Sequence, residues 1–168
     1  MDLTLGAGMI AFNYLAKDEY RASPGQLGLI ALITASVYFC SSLVLGRLSD
    51  HWGRRPSIVA GCMAIAAAFA LGIYATALWH IYALMAFAAV AMGSFWPALE
   101  ADISDHSTPA QLPHRVGRFN VAWCSGFAVT GLTAGALCQF LGHRSVLLGV
   151  AAIGLATIPV YLARTFKV

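Results

Sequence analysis

Long apolar runs separated by short polar and charged segments dominate the chain. Six such runs follow one another, covering residues 3–16, 27–45, 57–78, 81–99, 119–141 and 145–163. Five of them are long enough to cross the hydrocarbon layer of a bilayer, which takes about 20 apolar residues, and the first run is short for a span. The runs must be helical, because lipid offers no partner to unpaired backbone groups and barrel strands are shorter.

Composition excludes a soluble globular fold. Of the 168 residues, 60% are hydrophobic and 10% are charged, whereas soluble domains have roughly 45–50% and about 25%. A chain of this length cannot bury so much apolar surface in a water-facing core, and disorder requires the opposite composition. The sequence therefore predicts an all-α integral membrane protein, with residues 1–168 forming a single transmembrane domain of six helices in the lipid bilayer.

The distribution of Lys and Arg between the loops predicts the orientation of these helices. One side carries Arg47, Arg54, Arg55, Arg115, Arg118, Arg164 and Lys167. The other side carries Lys17, Arg21 and Arg144. Because the side richer in basic residues stays in the cytoplasm, both termini are expected inside the cell, in a multi-pass protein of the plasma or inner membrane. The net charge of +3 reflects this loop bias and indicates no nucleic-acid partner.

Two loops on opposite sides of the membrane resemble each other. Residues 52–58 read Trp-Gly-Arg-Arg-Pro-Ser-Ile before the third run, and residues 141–146 read Leu-Gly-His-Arg-Ser-Val before the last. Three helices repeated with inverted topology are a common construction among transporters. The pattern predicts a 3+3 inverted repeat, with chance similarity as the alternative for so short a match.

The segment between the second and third runs concentrates functional residue types. Gly46 and Asp50 are one helical turn apart, so a neighbouring helix can approach the glycine and find an acceptor in the aspartate. Gly53 permits a tight reversal of the chain. Arg54 and Arg55 can pair with Asp50 or bind lipid phosphates. Two arginines alone would indicate an ordinary positive-inside anchor, but the spacing of all five residues is more specific.

The spacing G-x-x-x-D-x-x-G-R-R closely resembles the signature loop of the major facilitator superfamily. In that family a fourth helix with a proline ends in an aspartate that pairs with the loop arginines; Pro97 followed by Asp105 is the best match, and Asp102 is the second. The resemblance implies the N-terminal six-helix half of a secondary transporter that works by alternating access. It further implies that Asp50, Arg54 and Asp105 form a conformational latch, and that helices one, four and part of five line a cavity.

Three features depart from the pattern of that family. His51 stands in the signature loop where an arginine is more usual. Gly131 and Gly135 match the ends of the antiporter element G-P-x-x-G, but Leu132 replaces the proline. The basic residue that the family carries in its fourth helix is absent from residues 83–91. Gly131 and Gly135 are therefore expected to serve helix packing. Proton coupling stays open.

Polar and aromatic side chains within the runs are the candidates for a substrate cavity, because polar groups are costly in lipid. The candidates are Asn13, Met92, Trp96, Glu100, Asn120 and Trp123. Met92, Trp96 and Glu100 are spaced by four and share a helix face. The alternatives are interhelical hydrogen bonding for Asn13, an interfacial position for Glu100 and a membrane anchor for Trp123. The largely neutral, aromatic set favours sugars, amphipathic compounds or drugs as solutes.

An intramembrane enzyme is the main competing class. The chain contains neither H-E-x-x-H nor a phosphate-binding P-loop. Its nearest approach to a serine-protease motif, residues 123–126, has Trp123 where the first glycine should be. Cys40, Cys62, Cys124 and Cys138 have no metal-ligand spacing. The sequence predicts no enzymatic activity, no cofactor and no metal.

A six-helix half cannot transport by alternating access alone, since two halves must rock against each other. The expected partners are a small-molecule solute, the bilayer and a second six-helix half, either a C-terminal half or a second copy. The alternative is a truncated or non-transporting membrane module that assembles with a partner half.

Overall fold

The computed structural model describes residues 2–165 and contains six α-helices and no strand within that range. The helices are α1 (Asp2–Asp18), α2 (Pro24–Trp52), α3 (Arg54–Leu71), α4 (Leu78–Asp105), α5 (Leu112–Leu141) and α6 (His143–Thr165). A short 3-10 turn, Gly72–Tyr74, follows α3. The predicted all-α class is confirmed, while Lys167, used above for the orientation, lies outside the described residues.

Five helices in the described range, α2 to α6, are long and apolar enough to cross a membrane. The exception is α1, which has 17 residues. Although short, α1 lies deep in the bundle, and its side chains Leu5, Phe12 and Leu15 are at most 1% exposed. The consecutive residues 4–8 are also all buried, so other helices surround much of α1.

Most helices extend beyond the apolar runs that predict them, whereas α3 ends at Leu71, before the end of its run at residue 78. α2 continues to Trp52 instead of ending at residue 45, and α4 continues through Pro97 to Asp105 instead of ending at residue 99. Residues 46–52, predicted as part of a loop, are therefore helical. α5 begins at Leu112 and not at residue 119. Hydropathy marks only the part of a helix inside the hydrocarbon layer, whereas backbone hydrogen bonding continues into the polar interface.

Single glycines replace the expected loops at two of the connections. Gly53 alone separates α2 from α3, with φ +95° and ψ 145°, and Gly142 separates α5 from α6 with φ +82° and ψ 148°. Side chains disfavour these backbone angles, so glycine is required. A different device starts α2, where Ser23 and Gln26 form a reciprocal capping box.

Close contacts between small residues set the packing of the bundle. α4 packs against α2 and α3, α1 packs against α5 and α6, and α3 packs against α6. A Cβ at Gly46 would lie 3.3 Å from Cβ of Pro97, and one at Gly61 would lie 2.8 Å from Cβ of Phe95. Such close approach is the main source of helix association in lipid, where apolar faces gain little from leaving the solvent.

Candidate functional site

A cleft of about 230 Å³ opens between α1, α2, α4 and α5. Its walls consist of Leu5, Tyr38, Met92, Trp96, Glu100, Phe119, Asn120, Trp123 and Phe127. Aromatic and aliphatic side chains dominate the wall, and one carboxylate and one amide face the same space. A mostly apolar concavity with a few convergent polar groups is the usual form of a small-molecule site.

The structure brings most of the predicted cavity residues into this one cleft. Met92, Trp96 and Glu100 come from successive turns of α4, as their spacing of four requires, and Asn120 and Trp123 come from α5. Because α5 starts at Leu112, the last two lie within the helix and not at its opening.

Asn13 is the predicted candidate that does not line the cleft. Its amide nitrogen instead donates to the backbone oxygen of Met9 at 2.9 Å, within α1. Leu5 is the α1 residue that reaches the cleft, and eight residues of helix place Asn13 about 12 Å farther along the axis. Neither the cavity role nor the interhelical bond expected for Asn13 matches this contact.

Sequence reasoning missed four of the lining residues, Leu5, Tyr38, Phe119 and Phe127. Two of them carried a usable signal, because Phe119 and Phe127 lie four residues on either side of Trp123 and so share its helix face. Leu5 and Tyr38 had no such signal, since only the packing of α1 and α2 brings them to the cleft.

Ring contacts fix the aromatic wall. Trp96 of α4 meets Phe119 of α5 with centroids 5.8 Å apart and planes at 71°, and Trp123 lies 5.4 Å from Phe127. Tilted and edge-on contacts of this kind are favourable and specific in geometry. The wall is therefore held by α4 and α5 together.

Glu100 is exposed, and it takes part in no ion pair among the described residues. It lies near the end of α4, just over one turn before Asp105. No Lys, Arg or His belongs to the cleft wall. Within residues 2–165, no group of three or more His, Cys, Asp or Glu side chains could hold a metal ion.

A charged group beside the cleft, which we name the Arg54 cluster, joins α2, α3 and α4. Arg54 is bonded to the carboxylate of Asp50, its Nε lies 3.2 Å from Oδ2 of Asp105, and its Nη1 donates to Oγ of Ser49 at 2.9 Å. Asp50 and Asp105 have side chains 51% and 56% exposed. The neighbouring Arg55 is exposed and lies outside these pairs.

Three other residues singled out from the sequence lie near this cluster and have separate roles. Gly46 provides the close approach of α2 to Pro97 of α4, one turn before Asp50. Asp102, the second match for the latch aspartate, instead lies 3.4 Å from the hydroxyl of Tyr161 on α6. Gly53 sets the reversal that directs Arg54 back towards α2.

A second charged group, the Arg144 cluster, ties α6 to the end of α1 and to the connection between α3 and α4. Arg144 binds Glu19 through two nitrogens, with Nη2 to Oε2 at 2.7 Å. Its guanidinium also donates to the backbone oxygens of Ile73 and, at 3.0 Å, Ala75. The hydroxyl of Tyr20 completes the cluster, 3.4 Å from Nη2 and 2.6 Å from the Ala75 oxygen.

From the sequence, Arg144 was predicted only to be a basic loop residue on the side with fewer basic residues. The available signal was its position after a glycine in the short segment that resembles residues 53–55. A further contact lies beside it, where Nε2 of His143 approaches Oδ2 of Asp18 at 3.2 Å.

The two glycines expected to serve helix packing differ in their surroundings. A Cβ at Gly135 would lie 3.2 Å from the hydroxyl of Tyr14 on α1. Around Gly131, no described atom outside its own stretch of helix lies within 4 Å of such a Cβ. Packing at Gly131 thus remains a prediction that requires another molecule.

The family model of the Major Facilitator Superfamily matches residues 3–167. The matched range contains the cleft and both charged clusters. No curated protein matches the chain significantly.

Proposed function

Because the chain belongs to the Major Facilitator Superfamily, we propose that it carries a small solute across the membrane by alternating access, as a six-helix half of a secondary transporter. Membership itself implies a transporter function. The cleft between α1, α2, α4 and α5 is the proposed solute site, with Met92, Trp96, Glu100, Asn120 and Trp123 as the residues that contact the solute.

The single observation that carries the mechanism is the Arg54 cluster. One guanidinium bonds carboxylates from the ends of two helices, Asp50 on α2 and Asp105 on α4. All three groups are side chains with access to water, so the pairs can break and re-form at modest cost. We assign them as a latch that holds this end of the bundle in one conformer and releases it in the other.

An inverted repeat of three plus three helices is part of the proposal. If α1, α2 and α3 are exchanged with α4, α5 and α6, the contact of α2 with α4 corresponds to that of α5 with α1. The contact of α3 with α4 likewise corresponds to that of α6 with α1. The matching backbone angles of Gly53 and Gly142 support the same exchange.

A second six-helix half is the proposed partner, since one half cannot alternate access alone. It would be either a C-terminal half or a second copy of this chain. Large apolar side chains project from α2 and α5 and would be available to it, among them Phe39, Val44, Val121, Leu132 and Phe140. The competing proposal is a truncated or non-transporting module that assembles with a partner half.

We propose the plasma or inner membrane as the location, with both termini in the cytoplasm, from the excess of basic residues near the Arg54 end. Trp52→Cys and Ser145→Cys, each in a chain whose native cysteines are replaced, test this orientation. The reagent is a membrane-impermeant maleimide added to intact cells. Labelling at Ser145 and not at Trp52 is expected, and the reverse pattern would overturn the orientation.

Uptake into proteoliposomes tests the function. The reconstituted chain, at a density that lets copies pair, is offered a radiolabelled hexose, an amino acid and tetraphenylphosphonium. We expect uptake of at least one solute above protein-free liposomes, and about tenfold less in Asp50→Asn with unchanged membrane insertion. Lys17→Ala, an exposed change at the opposite end, should leave uptake intact.

The outcomes separate the two proposals. No uptake of any of these solutes would contradict their transport by paired copies of this chain, and would leave a C-terminal half as the partner or the non-transporting module. Uptake that is equal in Asp50→Asn and in the unaltered chain would retain transport and remove the latch.

A further inference from the structure

We propose that the cleft binds an organic cation, a molecule with apolar groups around or beside a quaternary ammonium, a phosphonium or a protonated amine. This inference rests on the proposed transport function, because it assigns a substrate class to the same cleft. It narrows the broader set of sugars, amphipathic compounds and drugs that the sequence favours.

Charge is the first argument. Glu100 is the one titratable carboxylate on the cleft wall, and the wall includes no Lys, Arg or His. Among the described residues no basic group neutralises Glu100, whereas Asp50 and Asp105 are paired with Arg54. A carboxylate at the edge of an otherwise apolar cleft attracts a positive group and repels a negative one. It therefore favours a bound cation over an anion.

The aromatic wall is the second argument. Rings of Trp96, Trp123, Phe119, Phe127 and Tyr38 surround the space next to this carboxylate. The faces of aromatic rings attract ammonium groups, tryptophan most strongly, and clusters of such rings are the usual way in which proteins bind quaternary ammonium ligands. The same rings provide apolar surface for the body of the molecule.

The number of hydrogen-bond acceptors on the described wall argues against a sugar. Tyr38, Glu100 and Asn120 are its acceptor side chains, and the indole N–H groups of Trp96 and Trp123 add two donors. A sugar carries several hydroxyl groups, each of which loses water on binding and costs free energy if it finds no partner. These three acceptors are fewer than the hydroxyl groups of a hexose, but they suffice for one positive group.

The length of the cleft leaves room for the apolar groups of such a cation. Met92 and Glu100 are eight residues apart on one face of α4, which separates them by about 12 Å along the axis. The positive group is placed on the Glu100 side, and the apolar groups contact Trp96 and extend towards Met92.

Equilibrium binding of radiolabelled tetraphenylphosphonium to the 168-residue chain in lipid nanodiscs tests the proposal, with protein-free nanodiscs subtracted. We expect saturable binding that Glu100→Gln weakens about tenfold. Trp123→Leu should also weaken it several-fold, and Trp123 is 41% exposed, so its replacement disturbs packing little. Asp102→Asn is the matched control: it removes one negative charge from α4 outside the cleft wall and should leave affinity unchanged.

Tetraphenylborate, an anion of nearly the same shape, provides the charge control in a separate titration without tetraphenylphosphonium, because the two ions form an insoluble salt when mixed. Weaker binding of tetraphenylborate, measured against protein-free nanodiscs, supports the proposal. Equal binding of the anion, equal affinity in Glu100→Gln, or absence of saturable binding would each overturn it. Circular dichroism and monodisperse elution of each variant establish that a loss of binding is not a loss of fold.

Binding and transport can fail separately. Uptake of the hexose by a chain that does not bind tetraphenylphosphonium would overturn the cation site and leave the transport proposal standing. Saturable, Glu100-dependent binding without uptake of any solute would support the cation site and contradict transport by paired copies of this chain.

Discussion

The Arg54 cluster and the Arg144 cluster follow the same short pattern, a glycine with positive φ and then an arginine one or two residues later, yet their arginines bind different kinds of partner. Among residues 2–165, the Arg54 guanidinium forms hydrogen bonds with side chains alone, those of Ser49, Asp50 and Asp105. Arg144 bonds one carboxylate and one phenol as well as two backbone oxygens of the connection between α3 and α4.

This difference in partners indicates a difference in mobility. Side chains such as Asp50 and Asp105 can rotate into water when the arginine leaves, so their release costs little. The backbone oxygens of Ile73 and Ala75 are fixed by the fold, and the loss of Arg144 removes a charged donor from both, although the Tyr20 hydroxyl still donates to Ala75. We therefore expect the Arg54 cluster to open and the Arg144 cluster to stay closed.

Arg144→Ala should have the largest effect on stability. It removes a charged donor from two backbone oxygens and from Glu19, which we expect to lower the free energy of unfolding by about 3 kcal/mol. The measurement is denaturant or thermal unfolding of the chain in detergent micelles. Lys17→Ala, at the same end of the bundle, is the control and should be neutral. A loss no greater than that of the control would mean that Arg144 fixes nothing.

Gly53→Ala and Gly142→Ala should have the next largest effects on stability. Each should lower the free energy of unfolding by a similar amount. Both positions have positive φ with ψ near 145–148°, a region in which an added side chain costs about 2 kcal/mol. Gly149→Ala is the control, because that glycine is helical and no described atom crowds its added Cβ. Clearly unequal losses at Gly53 and Gly142 would contradict the equivalence of the two turns.

Arg54→Ala should destabilise the chain by only about 1 kcal/mol, because its charged partners, Asp50 and Asp105, are exposed side chains. The unfolding measurement used for Arg144→Ala allows a direct comparison in the same conditions. A loss equal to that of Arg144→Ala would show that the two clusters are equally structural.

Glu19→Gln should have the smallest effect, below about 1 kcal/mol, since Glu19 is 38% exposed and Arg144 keeps its two backbone acceptors. Asp105→Asn is the matched change at the other end. We expect similar small losses in stability for both, but reduced solute uptake only for Asp105→Asn. Reduced uptake in Glu19→Gln would assign the Arg144 cluster to the transport cycle.

The lengths of the apolar runs were sufficient to predict an all-α membrane protein with six helices. In lipid, the backbone groups of a long apolar run can be satisfied only within a helix. It could not predict the polar ends, such as residues 46–52 and 100–105, where hydropathy falls although the helix continues. Asp50 and Asp105 of the proposed latch lie on these ends, so their helical setting was not visible from hydropathy.

The cleft and the Arg144 cluster differ in how many of their contacts could be predicted from the sequence. One face of α4 was predictable from the spacing of Met92, Trp96 and Glu100. The opposite wall of the cleft depended on tertiary packing, which brought Leu5 and Tyr38 to it and kept Asn13 away. The Arg144 cluster was less accessible still, because Glu19 is 125 positions distant in sequence and the backbone acceptors carry no side-chain signal.

Hydrogen–deuterium exchange of the unaltered chain in nanodiscs tests the central claim, that one end of the bundle opens while the other stays closed. The account predicts faster amide exchange in residues 46–52 and 100–105 than in residues 15–19, 72–75 and 143–147. Arg54→Ala should raise exchange only in the first group, and Arg144→Ala only in the second. Equal protection of the two ends, or faster exchange around Arg144, would contradict it.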